Sequence, residues 1–129
     1  MTARERTGRH ARTDWRVIAR LDRCTLVEAA LHTGRTHQIR AHFAAVGHPV
    51  VGDTLYGAPR GLRAGTRTIP LLERNFLHAS LLGFAHPSTG AWVEVRAPLP
   101  ADLRLYFEQI AASSGRREPG LDAALAPYL

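Results

Sequence analysis

The residues able to do chemistry crowd into one stretch, Leu31 to Tyr56, with the sequence LHTGRTHQIRAHFAAVGHPVVGDTLY. Arg35 and Arg40 offer planar forks that pair with phosphates and base edges and stack on bases. Asp53, within VVGDTLYG, has the type of an acid or base. Its flanking Gly52 and Gly57 favour a turn role instead, because an aspartate in such a turn bonds its own following backbone. His37 and His42 are five apart, which points them in different directions on a helix, and HExxH is absent, so no metal site is expected. His78 and His86 lie in or beside a predicted hairpin and read as packed or turn histidines. No GxxxxGK[ST], GxGxxG or GxSxG occurs, so neither a nucleotide cofactor nor a serine hydrolase has support, and the expected cofactor list is empty. Cys24 is the single cysteine, which excludes an intramolecular disulfide and any multi-cysteine zinc or iron–sulfur site.

These side chains need elements to hold them. Thr33 and Gly34 break the preceding alternation, Thr36 can cap a helix, and the apolar spacing predicts that helix over His37 to Val46. Ile39, Phe43 and Val46 form its expected buried stripe, with His37, Arg40 and Ala44 on a neighbouring face, so a rigid scaffold presents Arg40. Gly47 stands where a helix ends in a left-handed residue, and His48-Pro49 forces an extended exit. Upstream, Trp15 to Leu21 and Cys24 to Leu31 alternate around Asp22-Arg23, a hairpin feeding the helix. Residues 57–75 read as a basic loop that could grip a phosphate backbone or merely connect. Leu77 to Phe84 and Trp92 to Val95 predict a second hairpin around HPSTG. Leu103, Phe107 and Ile110 mark a helix over 101–111. The division expected is a flexible basic arm at 1–13, a folded unit at 14–112 and a frayed tail at 113–129 with a weakly helical LDAALA piece. The class is α+β, a mostly antiparallel sheet with packed helices and an unpaired edge strand exposed.

At 129 residues and 45% apolar content this is one domain at most, able to bury about two-thirds of its unfolded surface. The net charge is +6, and all 17 basic residues are arginine. The absence of lysine is equally well read as a coding bias, so the distribution carries the argument. Residues 1–40 hold nine arginines against four acids, whereas residues 75–129 hold four against five. The basic half contains the motif, which suits a nucleic-acid partner. No apolar run approaches the roughly 20 residues of a membrane span, and MTARERTGRHAR has no apolar signal region. A cytoplasmic protein without membrane contact is expected.

TGRTHQIRAH followed by GHPVVGDTLYG resembles the RluA-type RNA pseudouridine synthases, and weaker echoes appear in GRHARTDWRV and FLHASLLGFAHPSTG, so the resemblance covers Gly8 to Ile110. It implies part of that family's catalytic-domain fold. It also implies isomerisation of a uridine in RNA, ribosomal or transfer, by an aspartate that breaks the N-glycosidic bond without cofactor or metal. The target nucleotide must leave the stack to reach such a site. Arg40 matches the arginine whose guanidinium pairs with that aspartate and keeps it ionised. Arg35, Thr36, His37 and Gln38 stand at the start of the same helix, where N–H groups and side chains can hold phosphate or sugar oxygens. The HRLDxxTSG-like motif that carries the nucleophile does not occur in this chain. ARLDRCT lacks its histidine and Ser-Gly, so Asp22 reads as a hairpin turn.

Three functions compete on this basis. The chain is the C-terminal part of a synthase, truncated or completed by another chain that supplies the missing segment. It is otherwise an RNA-binding module that keeps the groove without catalysis, or an inactive fragment.

Overall fold

The computed structural model describes residues 2–3, 10–64, 67–113 and 120–129. Among these, short antiparallel strands and three α-helices give an α+β architecture, but the strands form three separate small sheets rather than one. The first sheet is built on the β2 (Thr13–Arg20) and β3 (Thr25–Leu31) hairpin, paired from Thr13 with Leu31 to Arg20 with Thr25. A bulge falls between Val17 and Ala19, and the Leu21 N–H to Cys24 carbonyl bond at 2.8 Å closes the turn around Asp22-Arg23. Two residues of the basic arm, Thr2–Ala3, form β1 against Thr13 and Asp14, while residues 4–9 of that arm lie outside the described residues.

Helix α1 (Gln38–Ala45) follows the hairpin. Its end is a Schellman motif: the Gly47 N–H reaches the Ala44 carbonyl at 3.0 Å and the His48 N–H reaches the Phe43 carbonyl at 2.9 Å. Gly47 takes φ 85°, which a glycine adopts without the Cβ penalty. Two expectations fail here. Thr36 is not the cap, since His37 occupies that position in a left-handed conformation and no side chain caps the helix. The buried face is also rotated: Gln38, His42 and Phe43 are buried, Ile39 only partly so, and Val46 is 50% exposed. Polar residues face inward because β2 offers them partners, and only Phe43 of the apolar stripe is buried, edge-on to Trp15 with centroids 5.7 Å apart.

The stretch 57–75 is not a plain loop, since β4 (Leu62–Ala64) and β5 (Arg67–Ile69) pair within it and Ile69 enters the core. The long helix α2 (Ala101–Ser113) buries Leu103, Tyr106, Phe107, Ile110 and Ala111. One side of it packs with Ala19, Leu121 and Leu125, the other with Ile69, Val51 and Leu72. Leu121 and Leu125 belong to α3 (Leu121–Leu125), so the LDAALA piece is a docked helix, while residues 114–119 of the expected frayed tail are outside the described set. Docking two leucines supplies apolar burial that a five-residue helix lacks by itself.

The last hairpin pairs β6 (Leu81–Ala85) with β7 (Trp92–Arg96). His86 holds its turn, its Nδ1 accepting from the Ser88 and Thr89 N–H groups at 3.1 and 3.3 Å. Register places Leu82 opposite Val95 and Phe84 opposite Val93, so one face is wholly apolar. That face is open: Leu82 is 61% exposed and Val95 51%. Both strands also keep one edge unpaired among the described residues, the exposed edge the sequence anticipates.

Candidate functional site

The two halves of the central motif meet in space. After α1 the chain turns at Val50–Asp53, where the Asp53 N–H bonds the Val50 carbonyl at 3.0 Å, and enters a 3-10 turn at Thr54–Tyr56. Gly52 makes this geometry possible. Its φ is 85°, and a Cβ there would sit 2.0 Å from the Arg74 carbonyl oxygen, so no side chain fits. The Phe76 N–H bonds the Val51 carbonyl at 2.7 Å and pins the turn to the following segment.

This turn aims Asp53 at Arg40. The Arg40 Nε donates to Oδ2 at 2.7 Å and Nη2 donates to Oδ1 at 2.9 Å, a two-point fork. Asp53 is 1% exposed and the Arg40 side chain 17%. The Arg40 hydrogen bonds hold the Asp53 carboxyl below the usual carboxylate range against the opposing effect of burial, and Asp53 in turn raises Arg40. The guanidinium carbon also lies 5.0 Å from the Tyr56 ring centroid, a cation–π distance. The Tyr56 hydroxyl is 3.3 Å from His37 Nδ1, so His37, Arg40, Asp53 and Tyr56 form one cluster.

Asp53 is thus not a free acid or base: its carboxylate serves Arg40, and it also keeps a part in its turn, where the Tyr56 N–H helps lower the carboxyl and the Asp53 carbonyl accepts from the Tyr56 and Ala58 N–H groups at 3.1 and 3.0 Å. The sequence held one signal for this pairing. Between residues 41 and 74 the only acids are Asp53 and Glu73, so few partners compete for an arginine presented there.

Below the cluster lies a polar layer centred on Gln38, 6% exposed. Its Oε1 accepts from the Thr33 hydroxyl at 2.7 Å and the Arg35 N–H at 3.0 Å. Its Nε2 donates to the Arg12 carbonyl and the Thr13 hydroxyl, both at 2.9 Å. Thr13, 1% exposed, continues to His42 Nδ1 at 2.8 Å. Of the four residues expected to touch RNA, Arg35, Thr36 and His37 are exposed at the start of α1, whereas Gln38 spends its whole amide inside the fold.

Asp22 stands apart from all this. Gln38 and His42, on either side of Arg40 in α1, bond Thr13 at one end of the first hairpin, and Asp22 lies past its other end, which for an eight-residue strand is about 23 Å away at 3.3 Å per residue. Burial pushes the Cys24 thiol up, which leaves it a poor nucleophile. Among the described residues no group of three His, Cys, Asp or Glu side chains could hold a metal ion, and no helix is long and apolar enough to cross a membrane.

Comparison with known proteins agrees with the motif. The RNA pseudouridylate synthase family profile matches residues 1–45. An uncharacterised RNA pseudouridine synthase of Chloroflexus aurantiacus is 48% identical over 103 residues, covering 80% of this chain and 30% of the relative. The Bacillus subtilis protein YlyB, described in the same words, is 46% identical over 81% of this chain and 32% of its own length. Ribosomal large subunit pseudouridine synthase D of Zymomonas mobilis is 37% identical over 83% of this chain and 34% of its own length. The chain therefore spans about a third of the length of the curated relatives it matches. Over about four-fifths of its length the chain is thus similar in sequence to about one third of the length of each of these RNA pseudouridine synthases.

Proposed function

We propose that this chain supplies the arginine side of a uridine-to-pseudouridine active site, acting in the cytoplasm on ribosomal or transfer RNA as part of the family's catalytic-domain fold. Arg40 would pair with the nucleophilic aspartate of a segment that this sequence does not contain and keep that carboxylate ionised. The observation that carries the reading is the guanidinium itself. It is held on a helix within the stretch that the family profile matches, and its Nη1 has no hydrogen-bond partner among the described residues. Arg35, Thr36 and His37 lie exposed one turn away and would meet the RNA backbone, while Gln38 contributes by fixing their loop. The basic arm at 1–13 and the arginines of 57–75 would extend that contact.

The test is complementation. This chain is co-expressed with the part of the Chloroflexus relative that it does not match, and pseudouridine in bulk RNA is measured by nucleoside chromatography with mass detection. Turnover is expected only when both parts are present, with Asp22→Ala harmless and Arg40→Ala crippling. Turnover by the 129-residue chain alone, lost in Asp22→Ala, would overturn the proposal. RNA binding without turnover in the complemented pair would favour the non-catalytic RNA-binding module.

A further inference from the structure

We infer that Asp53 is a positioning residue for Arg40, gripping one edge of the guanidinium so that the opposite edge is held out to a second carboxylate. This rests on the reading that Arg40 serves a nucleophilic aspartate. A guanidinium carries five N–H donors in one plane. Asp53 takes the Nε edge, with Nε and Nη2 at 2.7 and 2.9 Å from its two oxygens. The edge formed by Nη1 and the second Nη2 hydrogen remains, and it can fork onto another carboxylate in the same plane. Arg40 can therefore lie between two acids without moving.

Each support of this arrangement is itself fixed. Asp53 is 1% exposed and sits after Gly52, whose backbone is wedged against the Arg74 carbonyl. Tyr56 covers one guanidinium face at 5.0 Å, and its hydroxyl is tied to His37 at 3.3 Å. A long arginine side chain that would otherwise sample many rotamers is thus set in place before the nucleophile arrives. The Asp53 charge offsets part of the Arg40 charge, so the hold of Arg40 on an incoming ionised carboxylate depends on how well its free edge is aimed. Misplacement of a positioned group by about 1 Å costs on the order of a hundredfold in rate, which sets the scale expected here.

The experiment uses the complemented enzyme above and the 129-residue chain. In the enzyme, Asp53→Asn should lower kcat by about 10- to 100-fold while KM for RNA changes by less than about twofold. Asp53→Glu, which keeps the charge but moves it by one methylene, should also lower kcat, and it serves should the asparagine variant fail to fold. In an Arg40→Lys background, where no fork exists, Asp53→Asn should cost nothing further, whereas a purely structural role would multiply the two losses. Wild-type kcat in either Asp53 variant, in an enzyme that Arg40→Ala inactivates, overturns the inference and leaves the reading of Arg40 intact. Full turnover by Arg40→Ala instead overturns that reading, and the inference with it. On the chain alone, the Arg40 Nε–H should give an exchange-protected NMR signal that disappears in Asp53→Asn. An unprotected signal in the wild-type chain would refute the positioning geometry without any activity measurement.

Discussion

Replacing Gln38 with leucine keeps most of the side-chain volume and removes the whole polar junction beneath the site. Four hydrogen bonds are lost, to the Thr33 hydroxyl, the Arg35 N–H, the Arg12 carbonyl and the Thr13 hydroxyl. A protein hydrogen bond is worth about 1 kcal/mol net, more where the abandoned partner stays buried. The Arg12 and Arg35 backbone groups belong to exposed residues and can rehydrate, and the buried Thr13 hydroxyl keeps His42. The balance is a loss of about 2 to 3 kcal/mol. With an unfolding entropy of about 2.1 cal/mol/K per residue, Tm should fall by about 8 to 10 °C, read by circular dichroism. Because Gln38 has no spare polar atom to offer a ligand, RNA affinity measured well below Tm should change by less than about threefold. An unchanged Tm together with a tenfold loss of RNA affinity would show that Gln38 is an RNA contact and that the polar layer carries no stability.

Binding to structured RNA should weaken at least about tenfold between 50 and 200 mM salt, because arginine–phosphate contacts release counterions; affinity independent of salt would rule out that mode. The open apolar face of β6 and β7 should make the chain associate as its concentration rises, and Leu82→Glu should disperse it, as light scattering would report; a wild-type chain that stays monomeric refutes this. Arg40 lowers the Asp53 carboxyl in the folded state, so the stability it contributes is present above about pH 4 and is lost as pH falls through the lower folded value. The gap in urea stability between wild type and Asp53→Asn should accordingly narrow from pH 7 toward pH 3, and a gap that does not vary with pH would contradict the pairing.

What the sequence revealed of this fold follows from which forces act locally. The β2–β3 hairpin and α2 announce themselves because their apolar residues recur with the period of the element and bury in the core. The end of α1 was equally legible, since Gly47 and the residues around it satisfy the last carbonyls within the helix's own final turn. The buried face of α1 was not. Periodicity places Ile39, Phe43 and Val46 inward, but Gln38 and His42 bury instead, because Thr13 and the Arg12 carbonyl, some 25 residues upstream, supply bonds that no local pattern encodes. The small β4–β5 pair is not legible for a similar reason: three-residue strands carry too little alternation to stand out from an arginine-rich connector.

The same distinction explains the site. The chemistry of TGRTHQIR and GDTLY was visible as residue types, and the resemblance gave Arg40 a role, yet neither said what the gap between the two pieces achieves. The structure answers with geometry. Arg40 stands in the first turn of the eight-residue helix, the Schellman turn at Gly47 reverses the chain, and the turn through Gly52 brings it back so that Asp53 and Tyr56 arrive beside the guanidinium, one at its edge and one at its face. A helix and two glycine turns have fixed lengths, so the number of residues between arginine and aspartate is dictated by closing this path and not by any contact with a ligand. The motif's spacing and its chemistry therefore have separate causes. Gly47 and Gly52 serve the path, Gln38 and Thr13 anchor its base, and Asp53 and Tyr56 fix the Arg40 guanidinium by one edge and one face.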